Sequence, residues 1–298
     1  MNDLVHYTNC PVCDSSRLKT VFSLGDHSVS KESFLLVECD QCTLRITQDV
    51  PSADAIAPYY QSENYISHTN TNKGLVNQLY RQVRKITLHE KKKLIQKMTG
   101  LSTGKLLDMG SGTGAFAGYL KNAGWQVTGL EPDEGARKVA YQEFGVVLSD
   151  TSSFYELAPA QFDVITLWHV LEHVHDLKGY VQQLKKLLKP NGKLFIAVPN
   201  YTSEDALYYG AHWAAYDVPR HLYHFSPAAM RRLLAKNQLT LETIQPMWFD
   251  SFYVSLLSSK YKTGKVQLLS SLQRGLVSNL TAWRNKERCS SLIYVASH

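Results

Sequence analysis

The sequence has no apolar run that approaches the roughly 20 residues needed to cross a bilayer. Residues 1–7 also lack the basic and apolar regions of a secretory signal peptide. Internal repeats and low-complexity tracts are missing as well. We therefore expect a globular cytoplasmic protein without a membrane span. The sequence leaves its oligomeric state open.

Cysteine is scarce, with five residues in 298, yet four of the five form two close pairs. Cys10 and Cys13 make one pair, Cys39 and Cys42 the other. Two such C-x₂-C pairs can place four thiolates tetrahedrally around zinc, and a reducing compartment disfavours disulfides. We predict a zinc-ribbon-like module over residues 1–50 with a structural zinc ion. A redox-active dithiol pair is the alternative.

Acidic residues are nearly absent between Lys73 and Lys97, where eight basic residues accompany Glu90 alone. This segment therefore accounts for the whole net charge of +6. Apolar residues recur through it at helical spacing, which predicts an amphipathic helix after a linker, together covering residues 51–99. We interpret the charge as a solvated helix face. A nucleic-acid or anionic-substrate surface over residues 73–97 is the alternative.

A glycine-rich turn at Gly110, Gly112 and Gly114 follows an apolar strand-like run and precedes a helix-like one. Glycine permits positive φ and a close approach of backbone to ligand. The helix N-terminus that follows offers N–H groups and a partial positive charge. The spacing through Ala115 also satisfies the dinucleotide-binding fingerprint, so the glycines alone leave the ligand undecided.

Acidic residues at successive strand ends favour a positively charged ligand. Asp108 would repel a pyrophosphate but attract a sulfonium or ammonium, by about 4 kcal/mol at 4 Å and an effective dielectric of 20. Glu131 follows the predicted strand 126–130, where a carboxylate accepts from ribose hydroxyls. Asp150 follows a third predicted strand, 146–148, and we expect it to accept from an adenine amine.

This set of residues resembles the class I S-adenosylmethionine-dependent methyltransferases over residues 100–298. The resemblance implies an α/β fold: a Rossmann-like, doubly wound, seven-stranded sheet whose last strand is antiparallel. It also implies S-adenosylmethionine as cofactor, bound by Asp108, Gly110, Gly112, Gly114, Glu131, Asp150 and Trp168. Further strands are expected at 162–168, 193–198, 239–244 and 291–296. Helices are expected at 177–188, which a turn at 189–192 ends, and at 227–236 with Ser226 as N-cap. A helical insertion is expected at 250–288.

The loop after the predicted fourth strand, residues 168–176, should face the transferable methyl group. Around 171–174 it is similar to small-molecule methyltransferases, including the ubiquinone-pathway O-methyltransferases, which have an acid where this chain has His169. The spacing His169-x-x-Glu172-His173 also matches inverted zinc peptidases, but its position at a strand end disfavours that chemistry. We predict His169 as the general base and a loop-fastening role for His173.

Residues 201–226 form a long connection rich in aromatic and histidine residues, which we interpret as a substrate lid. Trp213, Tyr216 and Arg220 are candidate substrate-binding residues, and His221 or His224 is an alternative base. An internal Asp217–Arg220 ion pair would instead fasten this segment.

The combined prediction is a methyltransferase that acts on a small molecule, with oxygen favoured over nitrogen and carbon as the methylated atom. Two alternatives stay open from the sequence. One is an RNA base methyltransferase that holds RNA with the zinc module and basic helix. The other is a non-catalytic protein that senses the cofactor or recruits a partner.

Overall fold

The computed structural model describes residues 4–60 and 75–298, and for 75–81 only the backbone. Predictions that fall on residues 61–74 lie outside the described residues. The strands of the described part are β1 Leu4–Val5, β2 Leu18–Gly25, β3 Ser33–Cys39, β4 Arg45–Thr47, β5 Val50–Pro51, β6 Lys105–Met109, β7 Gln126–Leu130, β8 Phe162–Trp168, β9 Leu188–Pro199, β10 Tyr223–His224, β11 Thr240–Pro246 and β12 Ser291–Ser297.

Most of the described α-helices lie where the sequence predicted helical segments, but those at Glu134–Phe144 and Glu204–Tyr209 were not predicted. The described α-helices are α1 Leu75–Thr99, α2 Ala115–Asn122, α3 Glu134–Phe144, α4 Leu177–Leu187, α5 Glu204–Tyr209, α6 Pro227–Lys236, α7 Asp250–Thr263 and α8 Leu268–Arg284. The Ser226 hydroxyl accepts from the Ala229 N–H at 3.0 Å, which confirms the predicted N-cap of α6. Among the described helices, none combines the length and apolar character that crossing a bilayer requires.

The main sheet has six strands in the order β11-β12-β9-β8-β6-β7, a mixed and mostly parallel arrangement. Strand β6 pairs parallel with both β7 and β8. The doubly wound Rossmann-like fold is confirmed, but the predicted third strand at 146–148 is wrong as a full strand. Only Ser149 bridges to Leu130 there. Val146 and Leu148 are buried against Ala117 of α2 and Ala140 of α3, whereas Val147 is exposed, so this segment packs on helices without forming a strand ladder.

The predicted turn at residues 189–192 is also wrong, because β9 already begins at Leu188. The carbonyls of Lys186 and Leu187 accept from the N–H groups of Ala160 and Gln161. Since these bonds satisfy the last carbonyls of α4, the chain needs no separate turn there.

The described part of the chain forms two compact units. The cysteine unit comprises residues 4–60, 171–178 and 197–293. The glycine-turn unit comprises residues 75–170, 179–196 and 294–298. The sequence-based boundaries at 50 and 100 stay a prediction about which segments fold independently.

In the cysteine unit, an antiparallel four-stranded sheet runs in the order β10-β4-β3-β2. One edge strand of this sheet, β10, comes from the connection 201–226, which also contains α5 and two 3₁₀ turns. Trp213 and Tyr216 pack in one buried core with Leu36 of β3. Most of this connection is therefore regular, buried structure.

Helices α7 and α8 bury small residues against their surroundings. Ser251, Ser255 and Ser258 are the buried positions of α7 together with Val254 and Ser259. Those of α8 are Ser271, Gly275, Ser278 and Ala282. A Cβ at Gly275 would come within 2.5 Å of Phe252 Cδ1, so the two helices meet closely there.

A buried carboxylate, Asp205 on α5, connects three parts of the cysteine unit. Its oxygens accept from Trp213 Nε1 at 2.8 Å, Ser278 Oγ at 2.7 Å and Ser290 Oγ at 2.7 Å. Asp205 thus fastens the 201–226 connection to α8 and to the segment before β12.

Replacing Asp205 with alanine should lower the free energy of unfolding by about 3–5 kcal/mol, because three buried donors lose their acceptor. Urea unfolding followed by circular dichroism measures this. The neighbouring, partly exposed Glu204→Ala is the matched control and should cost under about 1 kcal/mol. Equal losses in both variants would contradict the anchoring role.

Candidate functional site

The glycine-turn unit holds a buried carboxylate at the carboxyl end of β6. Asp108 is 1% exposed, and its Oδ1 accepts from Thr166 Oγ1 of β8 at 2.7 Å. Ser111 Oγ donates to the Asp108 backbone carbonyl at 2.9 Å, which fixes the turn that follows. The sequence placed this acid correctly at the edge where parallel strands end.

Burial raises the pKa of Asp108 to about 6. The Thr166 hydrogen bond and the positive charge of Lys91 oppose this increase. A carboxyl group with this pKa is mostly ionised at neutral pH, yet poorly solvated. A cation placed beside it would therefore recover much of the lost hydration free energy.

The second predicted acid, Glu131, is buried and reaches back to the glycine turn. Its Oε2 accepts from the Gly112 N–H at 2.7 Å and its Oε1 from the Asp133 N–H at 3.0 Å. Burial raises the pKa of Glu131, and these two bonds oppose that shift. Glu131 therefore supports the turn from its own strand end.

Two N–H groups of the glycine turn are already bound within the protein. The Gly112 N–H is bound to Glu131, and the Gly114 N–H donates to the Ser111 carbonyl at 3.0 Å. The turn binds its own backbone and Glu131 through these two groups, so an anionic ligand group would need other donors.

Two glycines of the turn are required by their surroundings. Gly110 has φ 62°, and a Cβ there would lie 2.5 Å from Val170 Cγ2. Gly114 has φ 75°, and a Cβ there would lie 2.5 Å from Ala140 Cβ. Positive φ and close packing both exclude larger side chains, which lets α2 begin against its neighbours.

The third predicted acid, Asp150, is exposed and caps the 3₁₀ helix Thr151–Glu156. Its oxygens accept from the Ser152 N–H at 2.9 Å and from Arg137 Nη1 at 2.9 Å. The Ser152 hydrogen bonds, followed by the Arg137 charge, lower its pKa. Asp150 is thus an ionised group at this edge; its contact with an adenine amine stays a prediction.

Trp168, at the end of β8, lies beside a cation that the sequence reasoning missed. Lys91 Nζ of α1 lies 4.1 Å from the Trp168 ring centre and 5.6 Å from that of Phe116. Nothing in the sequence singled out Lys91 among the eight basic residues of this segment.

Two other basic residues of α1 also lie over aromatic rings, Arg84 over Phe144 and Lys92 over Tyr119. These contacts favour a packing role for the basic residues and disfavour a nucleic-acid-binding surface.

The residue after Trp168 is the predicted base. His169 is partly buried and has φ 59°, a left-handed conformation that is uncommon for a non-glycine residue. Such backbone strain is concentrated at functional sites. This conformation marks the end of β8 as a constrained position.

In the cysteine unit, Glu172, His173 and His221 come together, with ligand-type atoms within 4.8 Å of one another. Tyr60 Oη and the Arg220 carbonyl both lie 3.0 Å from His173 Nδ1. Burial, followed by the charge of His221, lowers the pKa of His173 to about 4. A neutral histidine held by its neighbours favours the loop-fastening role.

The other candidate bases are buried in the same unit. His221 Nδ1 lies 2.9 Å from the Ala215 carbonyl. His224 lies on β10, with Nε2 3.0 Å from Thr47 Oγ1, and burial lowers its pKa well below the usual value. These contacts favour structural roles; a catalytic role for either histidine stays a prediction.

The candidate substrate residues are also core residues. Trp213 and Tyr216 are each 2% exposed and meet edge to face, and Tyr216 Oη accepts from Arg45 Nη1 at 2.7 Å. Arg220 is 1% exposed and pairs with Asp217 at 2.7 Å and Asp26 at 3.0 Å. The fastening alternative thus has the stronger support, and substrate binding by these residues stays a prediction.

The four paired cysteines meet in one buried cluster. The Sγ atoms of Cys10 and Cys42 lie 3.4 Å apart, as do those of Cys13 and Cys39, and all four lie within 4.8 Å. The two pairs have the same backbone geometry. In each, the first cysteine N–H donates to the carbonyl five residues on and its carbonyl accepts from the N–H four residues on. Both loops reverse at a left-handed residue, Asp14 or Thr43.

Comparison with known proteins connects this architecture to an enzyme family. The sequence pattern described as a methyltransferase domain matches residues 80–244. The ubiquinone biosynthesis O-methyltransferase of Vibrio cholerae serotype O1 is 34% identical over 122 residues, covering 39% of this chain and 50% of that protein. The protein of the same name from Actinobacillus pleuropneumoniae serotype 5b is 40% identical over 119 residues, covering 36% and 50%. The chain thus spans about half the length of these relatives.

Among solved structures, a SAM-dependent methyltransferase from Archaeoglobus fulgidus aligns with TM-score 0.48 and 19% identity, covering 72% of this chain and 94% of that one. A Burkholderia thailandensis 1,6-didemethyltoxoflavin-N1-methyltransferase, solved with S-adenosylhomocysteine, aligns with TM-score 0.46 and 18% identity, covering 87% and 97%. The family pattern itself extends over more than half of the 298 residues. The matched residues include Asp108, the glycine turn and Glu131. On that match, the chain belongs to the methyltransferase domain family.

Proposed function

We propose that the chain transfers a methyl group from S-adenosylmethionine to an oxygen atom of a small molecule. The observation that carries the proposal is the buried Asp108 carboxylate beside the glycine turn, which suits a cationic donor and disfavours a pyrophosphate. Methyltransferase family membership supports the reaction class. The relatives named as ubiquinone biosynthesis O-methyltransferases support oxygen as the acceptor atom.

The donor would be held by groups of the glycine-turn unit. Asp108 would face its positive charge, and Glu131 its ribose. The ring of Trp168 would flank the transferable group, with Lys91 providing the nearby cation for the donor's carboxylate. When bound, S-adenosylmethionine supplies an electrophilic methyl group on a sulfonium.

The protein's part in the transfer is alignment and proton removal. Holding the acceptor oxygen in line with the methyl group supplies most of the acceleration in such displacements. We assign His169 as the base that takes the acceptor's hydroxyl proton, since histidine titrates near neutrality and this one directly follows Trp168. Its constrained backbone would hold the imidazole at the strand end.

Asp108→Asn should weaken S-adenosylmethionine binding about 100-fold, because the amide removes the charge attraction but keeps the size. Wild-type affinity should fall about tenfold per pH unit below about 6, where Asp108 becomes protonated, and the variant's affinity should be flat over that range. Isothermal calorimetry measures both. The exposed Glu156→Gln of the same unit is the control and should bind like wild type. Unchanged affinity in Asp108→Asn would refute the proposed site.

His169→Gln should slow methyl transfer about 100-fold while S-adenosylmethionine affinity stays within about twofold, as expected for loss of a general base. The assay would screen phenols, carboxylic acids and amines with methyl-labelled donor and then compare variants on the accepted class. Methylation of amines alone would exclude oxygen as the acceptor atom. His89→Gln, an exposed histidine of α1, is the matched control. Full turnover in His169→Gln would assign the base elsewhere.

We further propose that the four clustered cysteines bind one structural zinc ion. Tetrahedral zinc with Zn–S bonds near 2.3 Å separates its sulfur ligands by about 3.8 Å, and the observed separations of 3.4 Å to within 4.8 Å fit that donor set. Four protein thiolates would leave no open position for a substrate. A cytoplasmic location, part of this proposal, would keep these thiols reduced.

Cys39→Ser should reduce bound zinc from about one per chain to below about 0.2 and lower the unfolding temperature, because metal binding contributes directly to folding. Inductively coupled plasma mass spectrometry of protein purified without chelator gives the zinc content. Cys289→Ser, the fifth cysteine and also buried, should keep its zinc. Zinc-free wild-type protein with reversible disulfides would favour the redox alternative.

A further inference from the structure

Helix α8 turns its large apolar side chains toward the outside, whereas a helix that packs on a protein core buries them. Its buried positions are the small residues Ser271, Gly275, Ser278 and Ala282. Large apolar side chains face outward instead, at helical steps of three and four, and we call them the outer stripe: Leu269, Leu272, Leu276, Leu280 and Trp283. Leu269 is 83% exposed and Trp283 is 76% exposed. Contiguous apolar exposure of this kind marks an interaction surface.

The packing of α8 on α7 through small residues is typical of helices whose outer faces contact an apolar environment. Both helices bury serines, and the close approach at Gly275 and Phe252 depends on the missing side chain. Helices in lipid likewise meet through small residues and turn their large apolar residues outward. With 17 residues, α8 is about 25 Å long, enough to lie along a surface.

Positively charged residues lie at both ends of the outer stripe. Residues 260–286 contain six lysines and arginines and no acidic residue. Lys260, Lys262 and Lys265 lie around the α7–α8 turn, and Arg284 and Lys286 at the other end of α8, all five exposed. Between the ends, Arg274 is the single charge on the helix, and it lies 3.7 Å from the Tyr208 ring centre.

Exposed tryptophans lie near one end of the outer stripe. Asn279 Nδ2 of α8 donates to the Trp248 carbonyl at 2.8 Å, so the start of α7 lies next to the last turns of α8. Trp248 and Phe249 are exposed there, as is Trp283. Tryptophan prefers the boundary between apolar chains and polar headgroups.

From these four observations we propose that the outer stripe docks the protein on an anionic lipid surface. Helix α8 would lie in the interface plane with its leucines and Trp283 among acyl chains and its flanking cations at lipid phosphates. A second copy of the chain is the weaker occupant, because an antiparallel pairing of two α8 helices would bring like charges together. This inference concerns a surface of the cysteine unit and does not depend on the proposed methyl transfer.

The test is co-sedimentation of the full chain with vesicles of phosphatidylcholine containing about 30% phosphatidylglycerol, compared with pure phosphatidylcholine. We expect binding at least tenfold tighter to the anionic vesicles, weakening as salt is raised. Leu276→Gln/Trp283→Gln should reduce the affinity at least tenfold, and Lys265→Glu/Arg284→Glu should do so as well. Tyr141→Gln, an equally exposed apolar residue on α3, is the matched control and should bind like wild type.

Because all four substituted residues are exposed, the variants should keep the wild-type melting temperature, which circular dichroism checks. Failure of wild-type protein to bind the anionic vesicles would overturn the proposal, as would binding that the Leu276→Gln/Trp283→Gln change leaves intact. Sedimentation equilibrium without lipid provides a third readout. A dimer that this same double change dissolves would assign the stripe to a second copy and overturn the lipid assignment.

Discussion

The site of this methyltransferase-family chain depends on one carboxylate that is almost fully withdrawn from water. Asp108 gains a hydrogen bond from Thr166 and partial charge compensation from Lys91, but burial still raises its pKa to about 6. A buried charge with incomplete compensation favours a ligand that brings the opposite charge. That single electrostatic condition separates a sulfonium donor from a dinucleotide, although the glycine spacing permits both. Glu131 adds a second constraint, because it binds the Gly112 N–H and so stabilises the turn beside Asp108.

The basic helix α1 shows how a charge pattern acquires meaning only from its neighbours. By composition it is a solvated face or an anion-binding surface. In the fold, Lys91 lies over Trp168 and Phe116. Its positive charge partly offsets the rise in the pKa of Asp108 that burial causes. One face of the helix therefore provides cations to aromatic rings of the glycine-turn unit. Such contacts retain a lysine near an apolar surface through both its stem and its charge.

The cysteine unit is organised by pairing between segments that are distant in sequence. The two cysteine loops have the same hydrogen-bond pattern. The second loop connects β3 to β4, and β4 pairs with β10. Arg220 is held between Asp217 and Asp26, and breaking such a buried set by removing one partner is strongly destabilising. The 201–226 connection is therefore part of a core, whereas α8 exposes the apolar face that a core would bury.

The sequence by itself determined the strands around the glycine turn, the acids at their ends, the cysteine pairs and the Ser226 N-cap of α6, because these depend on local periodicity and on residue types with narrow backbone preferences. Only the tertiary structure decided that residues 146–148 form no strand and that Ser149 alone bridges to β7, that Arg220 and His224 are enclosed, and that Lys91 is the cation near Asp108. The orientation of α8 was equally beyond local pattern: its leucines have ordinary amphipathic spacing, and only packing shows that the serines and Gly275 face inward. The spacing of apolar residues along a helix specifies which of them share a face. The elements that pack against that face come from other parts of the chain, so the spacing alone does not identify them.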